Sequence, residues 1–356
     1  AGKAHREWLR VADDAAQRLD AARDAIGAHE MRKRRGGFSC SQHLSVLQLC
    51  QKSNPAITPR VMAELIEPLC LSALNTPAAD ASAQVFLRVL QDAMFSPSVQ
   101  IDSKTTFGSA NLLIPKRDLS NLFPHPAAAW LVKHGGKVLL GERVESIDYS
   151  NAGWQVTATT IKQSFDAVIL AGSPSNMALA SINIAYAATN NIAKELEHLL
   201  RREVLDWQNS VNALRYEAIA TVYAYSKGAK LSQPMLALRS DAPSAGTNPA
   251  QFVFDRGQFG GETGLLAFVV SASHGERLDL QRQVIEQGKA QLNLPDLQPI
   301  QTIIEKRATF ACTPGLQRPA NQIAPGLLVC GDYVAGPYPA TLEGAVRSAI
   351  QAVKLL

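Results

Sequence analysis

The opening stretch, "HREWLRVADDAAQRLDAARDAIGAHE", sets Trp8, Val11, Ala15, Leu19, Ala22 and Ile26 three and four residues apart. That spacing puts them on one face and predicts an amphipathic helix. The basic run Arg32–Arg35 and then Gly36 and Gly37 close it, a helix end that the helix dipole favours. In "ITPRVMAELIEPLCLSALNTP" a second helix begins, with Thr58 as N-cap and Pro59 in its first turn. Pro68 should kink or end it. Asn75, Thr76 and Pro77 break the pattern before a further apolar helix from Ala81 to Met94.

From Gly135 the period falls to two. "GGKVLLGERVESIDYSNAGWQVTATTIKQSFDAVILAG" alternates apolar and polar residues and breaks at glycine and asparagine, which predicts a meander of three or four antiparallel strands ending in the buried "AVILAG". A helix follows from Ile192 to Arg201. Strands in "AIATVYAYS", "AQFVFDRG" and "GLLAFVVSAS" suggest a second sheet, then a helix from Arg277 to Leu292 and a strand in "PIQTIIEKRATF".

The tail, "LLVCGDYVAGPYPATLEGAVRSAIQAV" from Leu327 to Val353, reads as strand, glycine–aspartate turn, loop and helix. A buried strand would deliver Gly331 and Asp332 to its carboxyl end. Glycine lets a backbone approach a ligand closely, and a carboxylate there accepts hydrogen bonds from sugar-like hydroxyls. A helix starting at Thr341 turns free N–H groups and a positive dipole end on the same space. Gly344 and Ala345 are small enough to let a flat ring lie against that helix.

The totals exclude more than they assign. The chain has 356 residues, enough for two domains or two interleaved parts. Hydrophobic residues make up 46% and charged residues 19%, the balance of a globular protein with a core. A net charge of +4 is too mild to argue for nucleic acid, and no apolar run reaches the length of a membrane span or a signal peptide. Cys40, Cys50, Cys70, Cys312 and Cys330 lie far apart with no CxxC pair, and there is no HExxH. Reduced, buried thiols in the cytoplasm and no metal site are the expectation.

"GDYVAGPYPATLEGAVRSAIQA" resembles the carboxyl-terminal flavin motif of the amine oxidase and phytoene desaturase superfamily, and "HGGKVLLGERVESIDYSNAGWQVT" with "FDAVILAGSP" is similar to its middle segment. The resemblance implies FAD as cofactor. It places Gly331 and Asp332 at the ribityl–phosphate region and Thr341, Leu342, Glu343, Gly344 and Ala345 facing the flavin ring. The Val144 backbone would meet the adenine, and Ala171 and Gly172 would lie beside the dinucleotide. More narrowly, "EPLCLSALNTPAADASAQVFLRVLQDAMF", "LLIPKRDLSNLFPHPAAAWLVKHGGKV", "AQFVFDRG" and "KRATFACTPGLQRP" resemble the hydroxysqualene dehydroxylases, squalene-associated FAD-dependent desaturase relatives, over Pro68 to Leu356. Such enzymes remove a hydroxyl reductively from hydroxysqualene, giving squalene for hopanoid or related lipids.

That implies an α/β composite: a truncated, Rossmann-like FAD-binding domain interleaved with a mixed-sheet and helical substrate domain. The expected division is 1–134 as a mainly helical substrate or lid region, 135–180 as the FAD-domain meander and strand, 181–310 as the substrate domain and 311–356 as the FAD-binding strand–loop–helix. Asn75, Arg117 and Asp118 lie in family-like blocks and are the catalytic candidates, with capping or surface pairing the blander role for each. The family's opening GxGxxG is not found; "GKAHREWL" lacks the glycines, and the chain starts at Ala1. The expectation is therefore a piece of a longer flavoprotein, binding FAD weakly and inactive alone. The partner implied is an isoprenoid lipid, with peripheral contact at the inner membrane surface and the basic run near Arg32 to meet it. Two alternatives stay open: a carotenoid desaturase or an amine or protoporphyrinogen oxidase relative, and a flavin-free lipid-binding or interaction module on the same scaffold.

Overall fold

A computed structural model describes residues 39–54, 57–95, 99–100, 106–107, 114–116, 118–150, 153–174, 181–184, 191–241 and 246–356. The amphipathic opening helix, the basic run and Arg117 lie outside the described residues. In chain order the helices are α1 (Val46–Gln51), α2 (Pro59–Val61), α3 (Glu67–Leu74), α4 (Ala83–Phe95), α5 (Leu119–Leu122), α6 (Pro124–Lys133), α7 (Asn191–Asn212), α8 (Arg277–Leu292) and α9 (Leu342–Val353). The strands are β1 (Val99–Gln100), β2 (Thr106–Phe107), β3 (Val144–Ser150), β4 (Gly153–Ala158), β5 (Lys162–Phe165), β6 (Val168–Leu170), β7 (Ser181–Ile184), β8 (Tyr216–Tyr225), β9 (Met235–Ala237), β10 (Phe252–Asp255), β11 (Leu265–Ser271), β12 (Gln298–Phe310), β13 (Gln322–Ala324) and β14 (Leu327–Val329).

The chain forms two compact units interleaved in sequence. One contains Ala1–Leu112 and Tyr216–Gly315, the other Leu113–Arg215 and Leu316–Leu356. These cuts fall at different places from the expected 134, 180 and 310. Residues 113–134 and 181–215 join the second unit, where α7 packs on β7 and β13.

In the first unit five strands form an antiparallel sheet in the order β12-β8-β11-β10-β9. Val222, Ala224, Val253, Leu266 and Phe268 fill its buried face together with Leu280 and Val284 of α8. Gly288 lets α8 approach closely: a Cβ there would stand 2.7 Å from Leu297 and 2.8 Å from the Phe268 ring. The helical part packs Val46, Cys70, Leu74, Ala78, Ala81 and Phe86 into a core of its own. Thr58 caps α2 by accepting the Val61 N–H, with Pro59 in the first turn. Pro68 does not end this helix. A π-helical turn, Met62–Ile66, precedes it and α3 carries Pro68 near its start; widening the turn accommodates a residue that cannot donate. Asn75 ends α3 in the left-handed conformation.

In the second unit β5, β4, β3 and β7 form one sheet and β13, β14 and β6 another. β14 runs parallel to β6, with Val329 opposite Leu170. Trp154 of β4 joins the two sheets by donating from Nε1 to the Pro325 carbonyl, 3.1 Å. The antiparallel meander is thus β3, β4 and β5 alone: its predicted first run, "KVLL", forms no strand, and "AVILAG" carries β6 out of it into the other sheet, parallel to β14. Val138, Leu139 and Leu140 form no strand and are exposed, Leu140 to 88%. No described strand pairs with this run, and a strand without a neighbour leaves its backbone groups unpaired. Leu119, Leu122, Phe123, Trp130, Leu131 and Val132 on α5, α6 and the turn between them are exposed as well.

Candidate functional site

Parallel pairing carries β6 and β14 to a common carboxyl end, the side of such sheets where ligands bind. Cys330 donates its N–H to the Leu170 carbonyl at 2.9 Å. Ala171 and Gly172 therefore leave β6 beside Gly331 and Asp332 leaving β14. The chain then loops through residues 333–340 and returns, because Ala340 donates its N–H to the Asp332 carbonyl, 3.2 Å. One residue further on, Thr341 caps α9, accepting the Gly344 N–H at 3.0 Å and donating to the Tyr338 carbonyl at 2.6 Å. Asp332 and the helix tip are thus brought together, as the sequence suggests. The first N–H groups of α9 have no partner inside the helix, and the loop brings the backbone of Asp332 back to the residue just before its cap.

Burial pushes the Asp332 carboxyl above its ordinary range. The Asp332 and Tyr333 backbone N–H groups and the charge of Arg318 act against that rise. At the tip Leu342 and Glu343 are exposed, and Glu343 is paired with Arg347 at 2.6 Å. Gly331 and Gly344 have a reason to be glycine apart from any ligand. A Cβ on Gly344 would lie 2.2 Å from the Tyr338 carbonyl oxygen, and one on Gly331 would lie 2.5 Å from the buried Tyr333 ring. Tyr338 lies under Arg347, 5.2 Å from guanidinium carbon to ring centre.

Three polar side chains that the sequence did not single out fix this geometry. Ser348 Oγ accepts the Gly331 N–H at 2.9 Å and lies 2.9 and 2.7 Å from the Gly331 and Ala345 carbonyls. Buried Asn321 donates to the Val329 and Ser348 carbonyls at 3.0 and 2.8 Å. Arg318 donates to the Val334 carbonyl at 2.7 Å and to that of Gly336. Their partners are mostly backbone atoms, so only the "RP" of "LQRP" within a family-like block hinted at one of them.

The remaining candidates fall elsewhere. Val144 opens β3, a strand of the meander sheet and not of the sheet that holds β6 and β14. Asp118 caps α5, accepting the Asn121 N–H at 3.0 Å and its side-chain amide at 2.6 Å. Those bonds hold its carboxyl below the ordinary range, the ionised state and not that of an acid. Asn75 is 5% exposed. Its amide nitrogen donates to Thr309 Oγ1 at 2.9 Å and reaches the Glu217 carbonyl at 3.4 Å, and its oxygen accepts the Ala272 N–H at 2.6 Å. It joins the end of α3 to the sheet of the first unit. That unit also holds an open cavity of about 620 Å³ lined by Ala63, Glu67, Pro68, Leu71, Asp241 and Thr247 among others. Glu67 there accepts the Ala78 N–H at 3.3 Å, and burial pushes its carboxyl up. Among the described residues no group of histidine, cysteine or acidic side chains could hold a metal. No described helix is long and apolar enough to cross a membrane.

A strand end tied back to a capped helix start, beside a parallel strand, is a layout of mixed α/β chains, whose ligands sit at the carboxyl ends of parallel strands. Residues 6–289 match the family model described as flavin containing amine oxidoreductase, and the chain belongs to that family. The match ends before the tail, so the strand–loop–helix geometry is independent of it. Among curated proteins the chain is similar to a hydroxysqualene dehydroxylase of Sinorhizobium fredii (strain NBRC 101917 / NGR234), 37% identical over 103 residues, covering 24% of this chain and 23% of that protein. Among solved structures it resembles an oxidoreductase from Methanosarcina mazei, with a TM-score of 0.60 at 14% identity, over 94% of this chain and 72% of that one. It also resembles cyclohexylamine oxidase from Brevibacterium oxydans IH-35A, with a TM-score of 0.51 at 12% identity, over 96% and 73%. The chain thus spans under a quarter of the curated relative and about three-quarters of the two structures. At these identities the structural likeness concerns the fold.

Proposed function

We propose that the protein is an FAD-dependent oxidoreductase acting on an isoprenoid lipid, and that its reaction is the reductive removal of the hydroxyl of hydroxysqualene to give squalene. The observation that carries the flavin part is the hydrogen bond from the Ala340 N–H to the Asp332 backbone carbonyl, which folds the loop back so that the end of β14 meets the Thr341-capped start of α9. The lipid part is supported by the 37% identical segment shared with a hydroxysqualene dehydroxylase. The residues fit the sugar and phosphate portion of a flavin dinucleotide, which offers hydroxyl donors and negative charge to match a carboxylate acceptor and free N–H groups.

Bound flavin supplies hydride transfer. Asp332 would accept hydrogen bonds from the ribityl or ribose hydroxyls, and the N–H groups of Leu342 and Glu343 would be offered to the anionic part. Ala171 and Gly172 would offer small residues alongside, and the Val144 backbone, in the meander sheet, would meet the adenine. A departing hydroxyl needs a proton. Asp118 is held ionised and the Asn75 amide is already engaged inside its unit. Neither of these two candidates is therefore assigned as the proton donor.

The test supplies the protein made from its complete reading frame with FAD, a chemical reductant and hydroxysqualene, and follows products by mass spectrometry. Squalene formation that depends on both FAD and reductant is expected. Desaturation of phytoene or oxidation of an amine, with the alcohol untouched, would reassign the substrate. Saturable lipid binding without any flavin binding would make the protein a lipid-binding module.

A further inference from the structure

The loop between Asp332 and α9 carries strain. Tyr338 and Ala340 hold φ of +59° and +57°, and Gly336 holds +155°. A side chain in the left-handed region costs about 1–2 kcal/mol per residue. Such conformations persist only where the surroundings over-determine them, and they gather at ligand clamps and active sites. Here the surroundings are specific. The guanidinium of Arg318 spans two loop carbonyls, Val334 and Gly336. The next residue, Pro319, accepts the Ala335 N–H at 2.7 Å. Residues 318 and 319 thus grip 334–336 from both sides of the peptide chain, while Ala340 returns to Asp332.

We propose that Arg318 is the positioning residue of this loop: by bridging the Val334 and Gly336 carbonyls it keeps the loop folded back, so that Asp332 and the tip of α9 face one anionic ligand together. The inference rests on the flavin reading above for the identity of that ligand, a flavin dinucleotide. A planar fork with several fixed N–H donors can serve two carbonyls at once, whereas a lysine ammonium acts as a point charge. Arg318 also lies close enough to lower the charge cost of Asp332. Its Nη1 and Nη2 groups each donate to a loop carbonyl, and through that loop it acts on the ligand by way of Asp332 and the helix tip.

Two measurements on wild type, Arg318→Gln and Arg318→Lys separate this from a merely structural role. Amide hydrogen exchange of the flavin-free chain reports the clamp. In Arg318→Gln the Ala335 and Ala340 amides should exchange at least about tenfold faster, the shift expected for about 1.4 kcal/mol of lost local protection. The Leu328 and Val329 amides of β14 should keep their wild-type rates. FAD titration of the protein from its complete reading frame should show at least about tenfold weaker binding in Arg318→Gln, the same free-energy change. Arg318→Lys should restore less than half of either loss on a logarithmic scale. Unchanged loop exchange would overturn the proposal, as would a rise spread equally over loop and β14, or full recovery by lysine. FAD binding of equal strength in wild type and Arg318→Gln would overturn it too. Absence of FAD binding in wild type would count against the proposed function instead, and loop exchange would then decide the clamp alone.

Discussion

Replacing Asn75 tests whether that residue serves chemistry or architecture. Its side chain donates to Thr309 Oγ1, accepts from the Ala272 N–H, and sits on a backbone with φ of +48°. Ala272 is itself at +46° and almost fully buried. In Asn75→Ala the lost bond to Thr309 costs about 1 kcal/mol, and the stranded Ala272 N–H costs about 1–3 kcal/mol. An alanine side chain in the left-handed region adds about 1–2 kcal/mol. About 4 kcal/mol in total is a fair centre, which lowers Tm by roughly 8–16 °C for a unit of this size. Asn75→Gly loses the same bonds but not the backbone tolerance, so it should be less destabilised than alanine by about 1 kcal/mol. Thr309→Val removes one bond and should cost about 1 kcal/mol. Thermal and urea unfolding followed by circular dichroism and tryptophan fluorescence measure the series. An Asn75→Ala protein melting within about 2 °C of wild type, less than a 1 kcal/mol loss would produce, would refute the assignment of Asn75 to architecture. So would an alanine variant more stable than the glycine one.

Gly344→Ala should destabilise the second unit by about 1–3 kcal/mol, although alanine in an unhindered helix would gain about 1 kcal/mol, because its Cβ meets the Tyr338 carbonyl; a stabilised variant in urea unfolding would contradict this. The Asp332 carboxyl is raised in the folded state by burial, so its stabilising contribution is full below the unfolded value of about 4 and is lost as pH rises through the higher folded value. The Tm of wild type minus that of Asp332→Asn should therefore fall with pH across that window, with Glu67, raised in both proteins, cancelling; a flat or rising difference counts against it. Leu131→Glu and Leu140→Lys lie on exposed apolar residues and should change stability by less than about 0.5 kcal/mol, while reducing binding of a hydrophobic dye. A cooperative loss of structure in either variant would show that the side chain is buried.

Much of the secondary structure was legible because its patterns are long. α8 falls at Arg277–Leu292 as read, and β8, β10, β11 and β12 occupy the predicted alternating runs. α7 runs on to Asn212 past the charged Arg201–Glu203, since Leu200, Val204, Trp207 and Val211 keep one apolar face buried. "KVLL" has a strand's composition and no strand, because pairing depends on a neighbour that a local pattern does not supply. At the site, the strand–turn–helix of the tail could be read, and so could the meeting of Asp332 with the helix tip. The packing reasons for Gly331 and Gly344, and the Arg318, Asn321 and Ser348 contacts, could not. They depend on backbone atoms that folding alone brings within reach, and neither hydrophobic period nor motif spacing encodes them.

The central claim is that FAD lies against the carboxyl ends of β6 and β14 and the tip of α9. Amide exchange of the protein from its complete reading frame, compared with and without saturating FAD, tests it most directly. Slowed exchange concentrated in residues 168–172 and 331–345, with the β8–β12 sheet unchanged, is the predicted footprint. Saturation by FAD with those two segments exchanging as freely as before would contradict it.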